Sequence, residues 1–136
     1  TILVSINGTL GNVAFFNNEN VVLGKSACYF NLLPGISKQY VKYVIESPLF
    51  QNYAEKVATG ATIKNVSLKS MREFSFSVAP ENEQRKIVSK LDLLKEASQT
   101  LESLYQNKMN SLDELKKSLL QKAFSGELTK SKEIAA

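Results

Sequence analysis

The 136-residue sequence has no histidine and no tryptophan, one cysteine and three prolines. Without histidine it lacks the commonest general base, the Ser-His-Asp and Cys-His nucleophile systems and the ligand of most transition-metal sites. The lone Cys28 cannot close an internal disulfide. Set among Ala27, Tyr29 and Phe30 it reads as a small buried hydrophobe, and a reducing cytoplasm is the expected compartment. No apolar run approaches the roughly 20 residues that cross a bilayer, so no membrane partner is expected. Gly24-Lys25-Ser26 ends like a phosphate-binding loop, but Glu19 stands where that motif needs its first glycine. A glycine motif on a strand–turn–helix unit, as a cofactor-dependent methyltransferase would carry, is also missing. Of the 13 carboxylates, eight lie within residues 80–128, leaving few for acid–base work elsewhere. The sequence therefore predicts no catalytic residues, no cofactor and no metal site.

The first residue is Thr1, and Ile2-Leu3-Val4-Ser5-Ile6 already reads as a strand. With neither a signal peptide nor a polar leader, the chain is expected to begin inside a fold, as a piece of a larger protein. Residues 1–79 hold seven basic side chains against four acidic, whereas residues 80–128 hold eight of each. The amino-terminal part is thus mildly basic, which suits a polyanionic partner without demanding one.

Asn7-Gly8-Thr9 is a turn signal, and Gly11 to Phe16 resumes as a strand, so residues 2–16 predict a hairpin. Val21-Val22-Leu23 and Ala27 to Leu33 are two more strand candidates. Ser37 caps a predicted helix from Lys38 to Ile45, Ser47-Pro48 interrupts it, and Leu49 to Val57 continues as a second. Ala58 to Thr62 reads as a loop. Phe74-Ser75-Phe76-Ser77-Val78 alternates like an edge strand. The fold class expected is α+β: short antiparallel strands and small helices, followed by one long carboxy-terminal helix.

That helix, over residues 84–124, is the strongest signal. Ile87, Leu91, Leu94, Ser98, Leu101, Tyr105, Lys108, Leu112, Leu115, Leu119 and Lys122 alternate steps of four and three without a break. Apolar residues recurring every 3.5 positions form a stripe along one side of a helix, and about 40 residues make a rod roughly 60 Å long. Pro80 precedes it, Glu81 and Glu83 complement the positive end of its dipole, and Gly126 is a left-handed terminator. Packing sideways onto its own domain is the plainer alternative. A rod of this length, however, cannot return its whole seam to a domain of about 80 residues. Ile87, Leu91, Leu94, Leu101, Tyr105, Leu112, Leu115 and Leu119 are accordingly predicted to face a second long helix. Lys108 and Lys122 on the seam favour antiparallel pairing.

Pro80-Glu81-Asn82-Glu83-Gln84-Arg85-Lys86-Ile87-Val88 resembles the proline, Glu-Gln and Ile-Val signature that opens the conserved helix of type I restriction–modification specificity subunits. Leu115 to Leu128 resembles the signature that closes it. Ile2 to Gly11 is similar to a strand and glycine turn of that family's target-recognition domain. Thr59-Gly60-Ala61-Thr62 with Val66-Ser67-Leu68 is similar to its distal loop and strand. Asn7 departs from the pattern, standing where the family often has a basic residue.

The resemblance implies the distal part of a DNA target-recognition domain in residues 1–79, a conserved spacer helix in 80–126 and a tail in 127–136. It implies a non-catalytic subunit that reads half of a split DNA target. The helix would set the spacing between half-targets by antiparallel coiled-coil pairing, with a second helix of the parent chain or with another copy. The partners implied are double-stranded DNA and the methyltransferase and restriction subunits. Phosphates and base edges call for cationic and amide side chains, and the candidates are Lys25, Lys64, Asn65, Lys69 and Arg72, with Thr59 and Thr62 beside them. Lys64 and Lys69 have no acidic neighbour in the sequence, and Lys64-Asn65 leads the set. The competing expectation is a coiled-coil assembly protein with no DNA-reading role.

Overall fold

A computed structural model describes residues 1–127; the remainder of the expected tail, 128–136, with Leu128 of the closing helix signature, lies outside the described residues. The fold is α+β. Three antiparallel strands, β1 (Ile2–Ser5), β2 (Val13–Phe15) and β3 (Ala27–Phe30), form a sheet in the order β2-β1-β3. Helices α1 (Lys38–Glu46), α2 (Pro48–Val57), α3 (Leu68–Glu73) and α4 (Glu81–Phe124) follow. The chain forms two compact units, Thr1–Leu91 and Asp92–Ala136, so the first turns of α4 belong to the first unit.

β1 is central because both of its edges are paired, and its side chains alternate. Ile2 and Val4 point into the core while Leu3 and Ser5 stay half-buried, and Leu3 lies opposite both Ala14 and Tyr29. The predicted hairpin is present. Its loop is tied by the Ser5 side chain, whose hydroxyl donates to the Thr9 carbonyl and accepts from the Asn12 N–H. At Gly11, with φ of +79°, a Cβ would run into Gln51 Nε2 and lie 3.1 Å from Phe50, so glycine lets the hairpin sit against α2.

Ser37 caps α1 by accepting from the Tyr40 N–H at 3.3 Å, and Tyr40, Val41 and Ile45 form the buried face. Pro48 opens α2, which buries Phe50 and Ala54. Tyr53 on α2 donates its hydroxyl to the Ser70 carbonyl at 2.7 Å, fixing the short α3.

Two strand expectations are corrected. Val21–Leu23 is an exposed segment outside the sheet: both edges of β1 are already taken, by β2 and β3, so its strand-like run finds no ladder there. Phe74–Val78 is extended but hydrogen-bonds to no strand. Its alternation reflects one-sided packing of aromatic rings instead, with Phe74 at 5.1 Å from Phe50 in an edge-to-face pair and 5.7 Å from Phe76. α3, capped by Ser67, was not anticipated.

The start of α4 is locked by one polar side chain. Gln84 is only 1% exposed, yet it is fully satisfied. Its Oε1 accepts from the Ser37 N–H at 2.9 Å, and its Nε2 donates to the carbonyls of Ala79 at 2.8 Å and Gly35 at 3.2 Å. The turn before α1 and the first turn of α4 are thereby joined. Pro80 supplies the carbonyl that receives the N–H groups of Glu83 and Gln84, both at 2.9 Å. The helix ends as predicted. Gly126 takes a φ of +74°, the Glu127 N–H returns to Lys122 and the Gly126 N–H to Ala123, which together make a Schellman cap.

Candidate nucleic-acid interface

Thr59 and Asn65 exchange both backbone hydrogen bonds, at 2.9 and 2.8 Å, and close a narrow loop between them. Gly60 turns that loop with a φ of +95°; a Cβ there would strike the Ile63 carbonyl. The loop is stapled to the hairpin. The Gly8 N–H donates to the Lys64 carbonyl at 2.9 Å, Asn7 pairs with Asn65, and the Val66 N–H donates to Ile6 at 2.8 Å. The glycine turn and the distal loop, more than 50 residues apart in sequence, are therefore neighbours in space.

Thr59, Thr62 and Lys64 are exposed on this platform and Asn65 is half-buried. The Thr59 hydroxyl already donates to the Asn65 carbonyl at 3.3 Å. The expectation that Lys64 and Lys69 lack acidic neighbours is corrected. Lys64 Nζ lies 3.3 Å from Glu55 on α2, and Lys69 Nζ lies 3.9 Å from Glu73, one turn on in α3. Glu55 is nine residues away in sequence, and Glu73 becomes a neighbour only because Leu68–Glu73 is helical. Both pairs are largely exposed and so are weak.

Among the described residues Lys25 and Arg72 have no ion pair, and both line a single cleft of about 640 Å³ with Ile6, Leu23, Gly24 and Tyr29. The candidates thus divide into a looped platform carrying Thr59, Thr62, Lys64 and Asn65, a cleft carrying Lys25 and Arg72, and Lys69 on the exposed side of α3. Burial pushes the Cys28 thiol above its ordinary value, outweighing its own backbone hydrogen bond, which keeps it protonated at neutral pH. Among the described residues no group of three His, Cys, Asp or Glu side chains could hold a metal, and no helix is long and apolar enough to cross a membrane.

Along α4, Ile87, Leu94, Leu101, Tyr105, Leu112, Leu115 and Leu119 are exposed and Leu91 is half-buried. Two more exposed residues widen the stripe: Leu104, three positions after Leu101, and Met109, four after Tyr105. A strict alternation of four and three misses them; a broader helical-wheel criterion would have found both.

These features define an α+β unit that continues into one long helix with an exposed apolar stripe. Residues 1–111 match the type I restriction modification DNA specificity domain, and the chain belongs to that family. It is also similar to the specificity subunit of the type I restriction enzyme EcoBI from Escherichia coli, with 25% identity over 134 residues. That alignment covers 94% of this chain and 27% of the relative, so the chain spans about a quarter of the relative's length.

Proposed function

We propose that this chain serves as a DNA sequence-recognition module of a type I restriction–modification system and does no chemistry itself. Residues 1–79 act as the distal part of a target-recognition domain, 80–126 as the spacer helix, and 127–136 as a tail. The observation that carries the reading is the family match over residues 1–111. The mildly basic first part and its unpaired cations agree with it. Lys25, Lys64, Lys69 and Arg72 meet phosphates, while Asn65, with Thr59 and Thr62, lies closest to base edges. The stripe of α4 pairs antiparallel with another long helix, and so sets the distance between half-targets. The same assembly docks methyltransferase and restriction subunits in the cytoplasm.

Duplex binding measured against salt tests the reading. Phosphate contacts release counterions, so affinity must fall steeply as salt rises. Binding that is absent, or flat with salt, would favour a coiled-coil assembly protein with no DNA-reading role. In the intact complex Asn65→Ala is expected to change preference among sequences, with a loss of about 1–3 kcal/mol at the cognate site.

A further inference from the structure

Ile6 is the hub of the cleft that holds Lys25 and Arg72. Its N–H donates to the Ser26 carbonyl at 2.9 Å, and its carbonyl accepts from the Val66 N–H at 2.8 Å. The first bond fixes the turn bearing Lys25, where the Ala27 N–H also reaches back to Gly24 at 3.3 Å. The second fixes the segment that leads into α3, which carries Arg72 in its last turn. The segments bearing two cations 47 positions apart are therefore anchored to the N–H and the carbonyl of one residue. The apolar part of the lining includes Ile6 and Cys28, both buried, and Tyr29 is 65% exposed. No carboxylate is among the described lining residues. Among the described residues Lys38 and Lys56 also have no ion pair, but neither lines this cleft. Lys64 and Lys69 must each give up a carboxylate before meeting an anion.

We infer that Lys25 and Arg72 together hold a DNA backbone phosphate in this cleft, and that this contact outweighs the one made by Lys64. The inference rests on the DNA-reading function proposed above. A guanidinium and an ammonium beside an apolar wall attract an oxyanion more strongly than solvated lysines do, because the wall excludes water from one side. Tyr29 offers its ring to the sugar beside that phosphate.

The test titrates a short mixed-sequence duplex against the whole chain across a salt series. The Lys25→Ala, Arg72→Gln double variant is expected to bind about tenfold more weakly, with a slope of log affinity against log salt reduced by roughly 0.9 for one lost phosphate. Lys64→Ala moves both less, and Tyr29→Ala lowers affinity at unchanged slope. Thermal melting verifies that the variants are folded. A second measurement needs no substitution: duplex should protect Lys25 of the unaltered chain from amine acetylation. Unchanged affinity and slope in the folded double variant, or an unprotected Lys25, overturns the inference and leaves the DNA-reading function standing. Failure of the unaltered chain to bind any duplex overturns both.

Discussion

Apolar side chains of similar size meet opposite conditions in the two units. In residues 1–91, Ile2, Val4, Val41, Phe50 and Val66 are almost wholly withdrawn from water. In residues 92–127, Leu101 is 52% and Leu112 59% exposed, along with Leu104, Leu115 and Leu119. The first unit has sheet, helices and aromatic rings to close on one another. The second, over its described residues, is the remainder of α4 and its cap, and a helix cannot bury its own stripe. The contrast separates residues that make a core from residues that wait for a partner. It also explains why the first turns of α4 belong to the first unit: Val88 packs against its core and Gln84 bonds to the turn before α1.

The sharpest way to break the contrast is to place charge on the stripe. Leu101→Asp with Leu112→Asp is expected to abolish self-association of the chain while leaving the first unit folded, as sedimentation equilibrium and near-ultraviolet dichroism would show. An unaltered chain that stays monomeric at high micromolar concentration would show the stripe to be mere surface. Next in size, Phe50→Ala should cost about 3–5 kcal/mol, because it empties a site ringed by Phe74 and Gly11. Urea unfolding followed by tyrosine fluorescence measures it. A Leu112→Ala control should cost a small fraction of that in the monomer.

Gln84→Ala should cost about 1–3 kcal/mol, since it strands the Ser37 N–H and two carbonyls at a partly buried junction. Hydrogen exchange should quicken at Ser37 and in the first turns of α4. Unchanged exchange there would mean that water replaces the side chain at no cost. The smallest effect belongs to Lys64. Because its pair with Glu55 is exposed, Glu55→Gln should change stability by less than about 1 kcal/mol. Freed from that partner, Lys64 should bind duplex slightly better, read as a modest rise in the salt slope. A fall in affinity on Glu55→Gln would argue that Lys64 faces no phosphate.

Much of this architecture follows from signals that act over a few residues. The 3.5-residue recurrence, Pro80 at one end and Gly126 at the other determine α4, because helix bonds and caps reach only three to five positions along the chain. Ser37 and Ser47-Pro48 mark α1 and α2 for the same reason, and Asn7-Gly8 marks the hairpin. The tertiary structure alone decided which extended segments became strands. Val21–Leu23 and Phe74–Val78 have strand-like patterns but no ladder partner, and a partner is a property of distant chain. It alone decided which cations are free. Lys64 found Glu55 across α2, Lys69 found Glu73 once α3 formed, and Lys25 and Arg72 met at Ile6. Charge interactions and strand pairing depend on distance in space, and distance along the sequence fixes that only within a turn of helix or a tight hairpin.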